Sequence, residues 1–205
     1  MKKAFVSLVV CMMFVCLTFP ALAKEDKEIV GFFQLLSGTP EINKQLTFNG
    51  GYSLAWKNGL GLRTFFLFNK SFAQAHIGPT WKLFDWLKMG VSLGGQQAPE
   101  GIDLRTSYLL WMGWSRFSFC GMLEVGEKAY QGNHDFIWYD FTFRTKVTGR
   151  LTFGIKDRRP SGVGPLAEVY FPAVKGHIWT AWVPLGSEDV EFVVERFILG
   201  VKLGF

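Results

Sequence analysis

Side chains able to do covalent chemistry are few and scattered in this chain. There are three histidines, His76, His134 and His177. Acyl transfer or hydrolysis would need one of them beside a nucleophilic serine, with an acid or amide to hold the imidazole. None falls in a serine-containing motif: His76 alternates with Gln74 and Thr80, His134 precedes Asp135 in a polar stretch, and His177 follows Gly176. His134 and His76 are the two candidates for a catalytic role, and an isolated histidine is ordinarily a hydrogen-bonding residue. There is no H-x-x-H, no C-x-x-C and no acidic loop of calcium spacing, so neither a metal nor a cofactor is expected. The loop SGVGP at 161–165 has glycines but lacks the Lys-Ser/Thr and the strand-to-helix setting of a phosphate cradle.

Charge, by contrast, is placed with a regular period. In WLKMGVSLGG (86–95), Leu87, Met89, Val91 and Leu93 alternate with Lys88, Gly90, Ser92 and Gly94. In RFSFCGMLEVGE (116–127), Phe117, Phe119, Leu123 and Val125 alternate with Ser118, Cys120, Met122 and Glu124. In FIWYDFTFRTKV (136–147), Ile137, Tyr139, Phe141 and Phe143 alternate with Asp140, Thr142, Arg144 and Lys146. A period of two belongs to β-strands, whose side chains point to opposite faces. Each such strand has one apolar face, and its charges share the other face with small residues. The chain closes in the same way on FILGVKLGF: Phe197, Leu199, Val201, Leu203 and Phe205 form one face, Arg196, Ile198, Gly200, Lys202 and Gly204 the other.

The beginning of the chain is different. Residues 1–23 combine two lysines, an apolar run from Ala4 to Phe19, and Ala21-Leu22-Ala23 before the charged KEDKE, the three-part pattern of a secretory signal peptide cleaved after Ala23. The run is shorter than a spanning helix needs. The expected division is therefore a signal peptide, 1–23, and one exported domain, 24–205. Two of the 22 basic residues leave with the signal, so 20 face 17 acidic ones. That mild excess, together with export, argues against a nucleic-acid partner. Of the three cysteines only Cys120 remains, which excludes an internal disulfide.

After residue 23 no apolar run approaches the length of a membrane helix. Short alternating segments separated by turns, with 21 Phe, 23 Gly and 8 Trp, carry the signature of a transmembrane β-barrel. Signal peptide, alternating strands and a last strand ending in Phe resemble the bacterial outer-membrane β-barrel class. The resemblance covers the whole exported chain, is architectural, and brings no catalytic or binding residue with it. It implies that Phe205, Leu203 and Val201 act as the signal read by the barrel-assembly machinery. It further implies contact with outer-membrane lipids and lipopolysaccharide. Arg158 and Arg159, beside the SGVGP loop, could meet lipopolysaccharide phosphates through charge-assisted bonds, but a solvated loop is the simpler account of that pair. The fold expected is all-β: an antiparallel up-and-down transmembrane barrel of about 12 strands with short periplasmic turns.

Turn residues place those strands near 28–37, 47–56, 60–68, 73–82, 86–95, 103–114, 116–126, 136–147, 150–157, 165–173, 177–183 and 190–205. Ten strands is the other count the spacing allows. Ile29, Phe32, Phe33 and Leu36 also fit a helix face, so 28–37 reads as strand or helix. Longer outer connections are expected at 38–46, 96–102, 127–135, 157–165 and 184–189. Trp56, Phe84, Trp86, Trp114 and Phe205 flank turns of one parity, as an interfacial girdle would.

A barrel of that size has room for a narrow lumen. The faces assigned inward carry Arg63, Lys82, Lys88, Arg105, Arg116, Arg144, Lys146, Lys156, Arg196 and Lys202, against Asp103, Glu124, Asp140 and Glu168. Two readings follow: a small channel whose cations favour anionic or polar solutes, or a closed barrel with a structural or surface role, its charges paired to hold the wall. A lipid-modifying enzyme at His134 is a third.

Overall fold

The structure is a computed structural model and describes residues 27–38, 46–98, 101–128, 136–185 and 196–204. The signal segment, His134 and Phe205 lie outside the described residues. Twelve strands follow one another: β1 (Lys27–Gly38), β2 (Thr47–Trp56), β3 (Leu60–Phe68), β4 (Ala73–Phe84), β5 (Leu87–Ala98), β6 (Gly101–Trp114), β7 (Phe117–Gly126), β8 (Ile137–Lys146), β9 (Leu151–Arg158), β10 (Gly162–Phe171), β11 (Gly176–Trp182) and β12 (Phe197–Gly204). Each pairs antiparallel with its sequence neighbours, and β1 closes the sheet on β12, making a barrel of up-and-down topology. Closure leaves no unpaired sheet edge.

The segment that also fitted a helix is a strand. β1 pairs with β2 from Lys27 to Leu36 and with β12 from Phe32 to Gly38. Its spacing is ambiguous because Phe32 and Phe33 are both apolar although one points in and the other out: Phe32 packs on the internal cluster of Phe65, Leu67 and Met122, whereas Phe33 stacks on Phe48 at 5.7 Å on the outer wall.

One end of the barrel carries the tight connections. Left-handed backbone at Gly59 (φ 84°), Ser115 (φ 52°) and Lys175 (φ 46°) turns the chain there. The described chain ends lie at this end too: Lys27 pairs with Trp56, and the Gly204 amide donates to the Lys175 carbonyl at 3.0 Å. At the opposite end two connections expected to be long are mostly strand: β5 runs through Ala98 and β6 starts at Gly101, and β9 reaches Arg158 and β10 starts at Gly162. QQA and DR look like loop by composition, yet a ladder of backbone hydrogen bonds does not require apolar side chains beyond the apolar band.

The packing is turned inside out relative to a soluble protein. Leu93 is 67% exposed and Ile102 75% on the outer wall, while Glu124 is 0% and Ser107 1% exposed on the inner one. An apolar outer belt with a polar interior is what strands in contact with lipid require. Trp56, Phe84, Trp86 and Trp114 are exposed at the tight-turn end, with Phe84 stacked on Trp86 at 5.4 Å. Among the described residues no helix is long and apolar enough to cross a membrane; strands make the wall.

Large side chains fit inside only where a facing residue is small. A Cβ on Gly200 would collide with the buried indole of Trp179, directly opposite it on β11. Gly200→Ala is therefore expected to cost about 1–3 kcal/mol by overpacking, read as a lower urea midpoint of the folded barrel, whereas Gly149→Ala, in open space, should leave the midpoint unchanged.

Candidate functional site: the barrel lumen

Strand register brings the internal charges together. β8 and β9 set Asp140 opposite Arg158 and Thr142 opposite Lys156. The Lys156 ammonium consequently donates to Asp140 at 2.6 Å and to the Thr142 hydroxyl at 3.3 Å, and the Arg158 guanidinium donates to the other Asp140 oxygen at 3.3 Å. One strand further, Glu168 on β10 accepts from Arg144 Nε at 3.3 Å and lies 2.9 Å from His177 Nδ1 on β11. Across the barrel Glu124, fully enclosed, accepts from Gln74 Nε2 at 3.1 and 3.2 Å, with His76 Nε2 at 3.7 Å and Arg105 at 3.9 Å. Arg105 in turn lies 3.2 Å from Asp103.

Two internal cations stand apart from this pairing. Arg63 donates to the Met122 thioether at 3.0 Å and sits over the Phe65 ring at 5.5 Å. Lys202 sits over Phe32 at 4.8 Å. Among the described residues neither has a carboxylate within ion-pair distance. Aromatic faces attract these cations only weakly.

Among the described residues the interior shows two chambers. The one toward the tight-turn end, of about 360 Å³, is lined by Arg63, Arg144, Lys156, Arg158 and Lys202 against Asp140 and Glu168, along with Cys120 and aromatic rings. The other, of about 310 Å³, meets Arg105, Arg158 and Arg159 together with Gln74, Gln96 and Asn69, and no carboxylate lines it among the described residues. Leu67, Trp138 and Arg158 line both and form the waist between them. Arg158 lies 5.2 Å from the Trp138 ring centre.

Sequence reasoning placed several of these residues by alternation alone. Lys156, Arg144, Lys202, Asp140 and Glu168 line the first chamber, and Arg63 is with them; Glu124 and Arg105 are in the enclosed polar cluster. Lys88 is half-buried on the inner parity of β5, and Arg196 is partly buried just before β12. Three residues expected inside belong to the rim instead. Arg116 occupies the exposed β6–β7 turn, and Lys146, at the end of β8, is also exposed. Lys82 is 55% exposed and bonds Asp85 at 2.6 Å, a hydrogen bond that holds that carboxyl below its ordinary value. Inward parity does not put a side chain in the lumen once its strand has passed the barrel's edge.

Arg158 was missed in the other direction. Its neighbours DRRPSG suggested a solvated outer loop, whereas the guanidinium is turned inward onto Asp140; Arg159 donates to the Ile137 carbonyl at 3.0 Å. The available signal was parity, since Lys156 and Arg158 continue one face. The waist was also missed, because FFLF (65–68) is apolar on both faces and hides which side chains point inward. His76 is 1% exposed, with the Phe65 ring 6.3 Å away and Glu124 beside it.

A closed twelve-stranded antiparallel barrel with an apolar outer wall and a charged interior is a fold that porins share. Among solved structures the chain is similar to a NanC porin in a rhombohedral crystal form, with a TM-score of 0.52 and 12% identity over 87% of this chain and 99% of that one. It is likewise similar to a KdgM porin, at 0.52 and 9% identity over 86% of this chain and 98% of the other. A KdgM porin in complex with disordered oligogalacturonate matches at 0.51 and 10% over 86% and 99%. At these identities the likeness is one of fold. No protein-family model and no curated protein matches the chain.

Proposed function

We propose that this chain, exported by residues 1–23 and inserted in the bacterial outer membrane as the barrel 24–205, is a narrow channel for small anionic or polar solutes. The observation that carries the reading is the charge of the first chamber: among the described residues, five cations against two carboxylates, with no carboxylate within ion-pair distance of Arg63 or Lys202. Such a lining attracts anions and repels cations. Oligogalacturonate, the ligand of one KdgM structure of the same fold, is a polyanion, which agrees with this choice of solute. Phe205, Leu203 and Val201 act in assembly, and lipid and lipopolysaccharide surround the wall.

The native thiol tests the chamber directly. Cys120 is free, lines the first chamber and is the one cysteine beyond residue 23. In protein 24–205 refolded into bilayers, a sulfonate-bearing methanethiosulfonate is expected to modify it about tenfold faster than the trimethylammonium analogue, after correction for their rates with a small thiol, because local potential concentrates the anion. A corrected ratio near one would contradict the anion preference.

The waist supports a second reading. Leu67 and Trp138 belong with Phe65, Met122, Phe32 and Phe72 to one internal apolar cluster, and apolar constrictions close pores by dewetting. Planar-bilayer recordings under a salt gradient separate the two: discrete steps with an anion-side reversal potential support the channel, and silence from inserted protein selects a closed barrel with a structural role.

A further inference from the structure

We propose that the outer wall at the tight-turn end binds one anionic phospholipid, with an acyl chain in an apolar crevice and the headgroup phosphate on Arg116 and Lys146. The inference rests on the reading of this barrel as a membrane protein and concerns its outside, where the solute pathway has no part.

The crevice, about 520 Å³, is walled by Trp86, Met112, Trp114, Phe117, Phe119 and Phe143. Its shape follows from the register. Gly113 and Ser118 oppose each other in the β6–β7 hairpin and alternate with the outward residues, so neither fills the outer face between Met112, Trp114, Phe117 and Phe119. Phe117 stacks on Phe143 at 6.1 Å to form one side. The Gly113 amide donates to the Trp86 carbonyl at 2.9 Å and ties the β4–β5 turn to the other. A volume of this size is in the range of small-molecule sites. The surface it exposes is apolar, with Ser118 turned to the inner parity of the hairpin, and it opens on the lipid-facing belt, so a hydrocarbon chain is the occupant it suits.

Charge stands where a headgroup would be. Arg116 lies in the turn between two wall residues, Trp114 and Phe117, and its carbonyl accepts the Lys146 amide at 2.8 Å, which brings the two cations onto adjacent strand ends. Both are exposed, and among the described residues neither has a carboxylate within ion-pair distance. The only acid in the described tight turns, Asp85, is bonded to Lys82. A phosphate bearing net negative charge satisfies both cations, whereas a zwitterionic headgroup brings its own ammonium. Each basic residue at a membrane surface favours an anionic lipid by about fivefold.

The test is native mass spectrometry of the detergent-purified barrel with equal amounts of phosphatidylglycerol and phosphatidylethanolamine of the same acyl chains. The expected result is a single retained phosphatidylglycerol, preferred by roughly tenfold or more. Arg116→Glu/Lys146→Glu should abolish the preference, Met112→Trp should reduce retention of both lipids by filling the crevice, and Lys57→Glu, at another turn, should leave both features intact. Equal retention of the two lipids, or a loss in Lys57→Glu as large as in the double variant, overturns the site. Heat-modifiable gel mobility is measured on every sample: a folded barrel without lipid preference refutes this site alone, whereas a chain with no heat shift and no insertion refutes the membrane reading as well.

Discussion

Reversing Arg63 and Lys202 together, as Arg63→Glu/Lys202→Glu, is expected to convert an anion-favouring conductance into a cation-favouring one. The first chamber carries an excess of three positive charges, five cations over two carboxylates, and the double reversal changes the sum by four, to minus one. A unit charge about 7 Å from the path of an ion is worth ~0.6 kcal/mol even in water, so an excess of three enriches a monovalent anion by about one order of magnitude at low salt. Screening reduces this as ionic strength rises, so the contrast should be largest in dilute salt. These two positions suit the experiment because Arg63 contacts Met122 and Phe65, and Lys202 contacts Phe32; removing either charge strands no buried carboxylate. The milder Arg63→Gln/Lys202→Gln leaves an excess of one and should move the reversal potential part of the way. If both double variants conduct with wild-type selectivity, the ions do not pass this chamber.

What the sequence revealed of this architecture depended on what each residue had to do. A strand with lipid outside and water or charge inside must alternate, so β5, β7, β8 and β12 are legible from Leu87, Phe117, Ile137 and Phe197 onward without any structure. β1 and β3 are harder. Phe32 and Phe65 are apolar on the inner face because they build the cluster around Met122 and Trp138, and a residue packing inside a lumen erases the period-two signal that lipid and water would otherwise impose. The same cause concealed the waist. Strand ends failed for another reason: Lys82, Arg116 and Lys146 keep or border the inward parity but lie at the barrel's edge, while Arg158, beside a polar loop, remains inside on Asp140. Parity tells which side a side chain faces; only the height of the ladder tells whether a lumen exists at that level. Pairing was beyond reach altogether, since the contact of Glu124 with Gln74 joins residues fifty apart in sequence on strands that are not neighbours.

Asp140→Ala is expected to lower the stability of the folded barrel by about 3 kcal/mol or more, the cost of leaving a buried ion without its partner. Two cations depend on this carboxylate. Among the described residues Lys156, whose side chain is 5% exposed, would keep only the Thr142 hydroxyl at 3.3 Å and the Trp179 ring at 5.0 Å; Arg158 would keep the Trp138 ring. Asp140→Asn preserves the shape and most of the hydrogen-bonding capacity but removes the charge, so it should account for most of the loss. Lys156→Met removes one cation and leaves Asp140 paired with Arg158 at 3.3 Å; about 1 kcal/mol is expected there, because the remaining pair is still satisfied. The measurement is the urea midpoint of each variant in phospholipid vesicles at two salt concentrations. A full 3 kcal/mol loss that salt does not alter places the Asp140 network in the dry wall of the chamber and leaves the solute path to the side of Arg63 and Lys202. A loss below 1 kcal/mol for Asp140→Ala, shrinking further in salt, would mean that water and ions already reach Lys156 and share its charge, so that the path runs along this side of the chamber as well. The stability of one buried carboxylate thus tells which wall of the chamber is hydrated, and the two variants of Asp140 measure it without any transport assay.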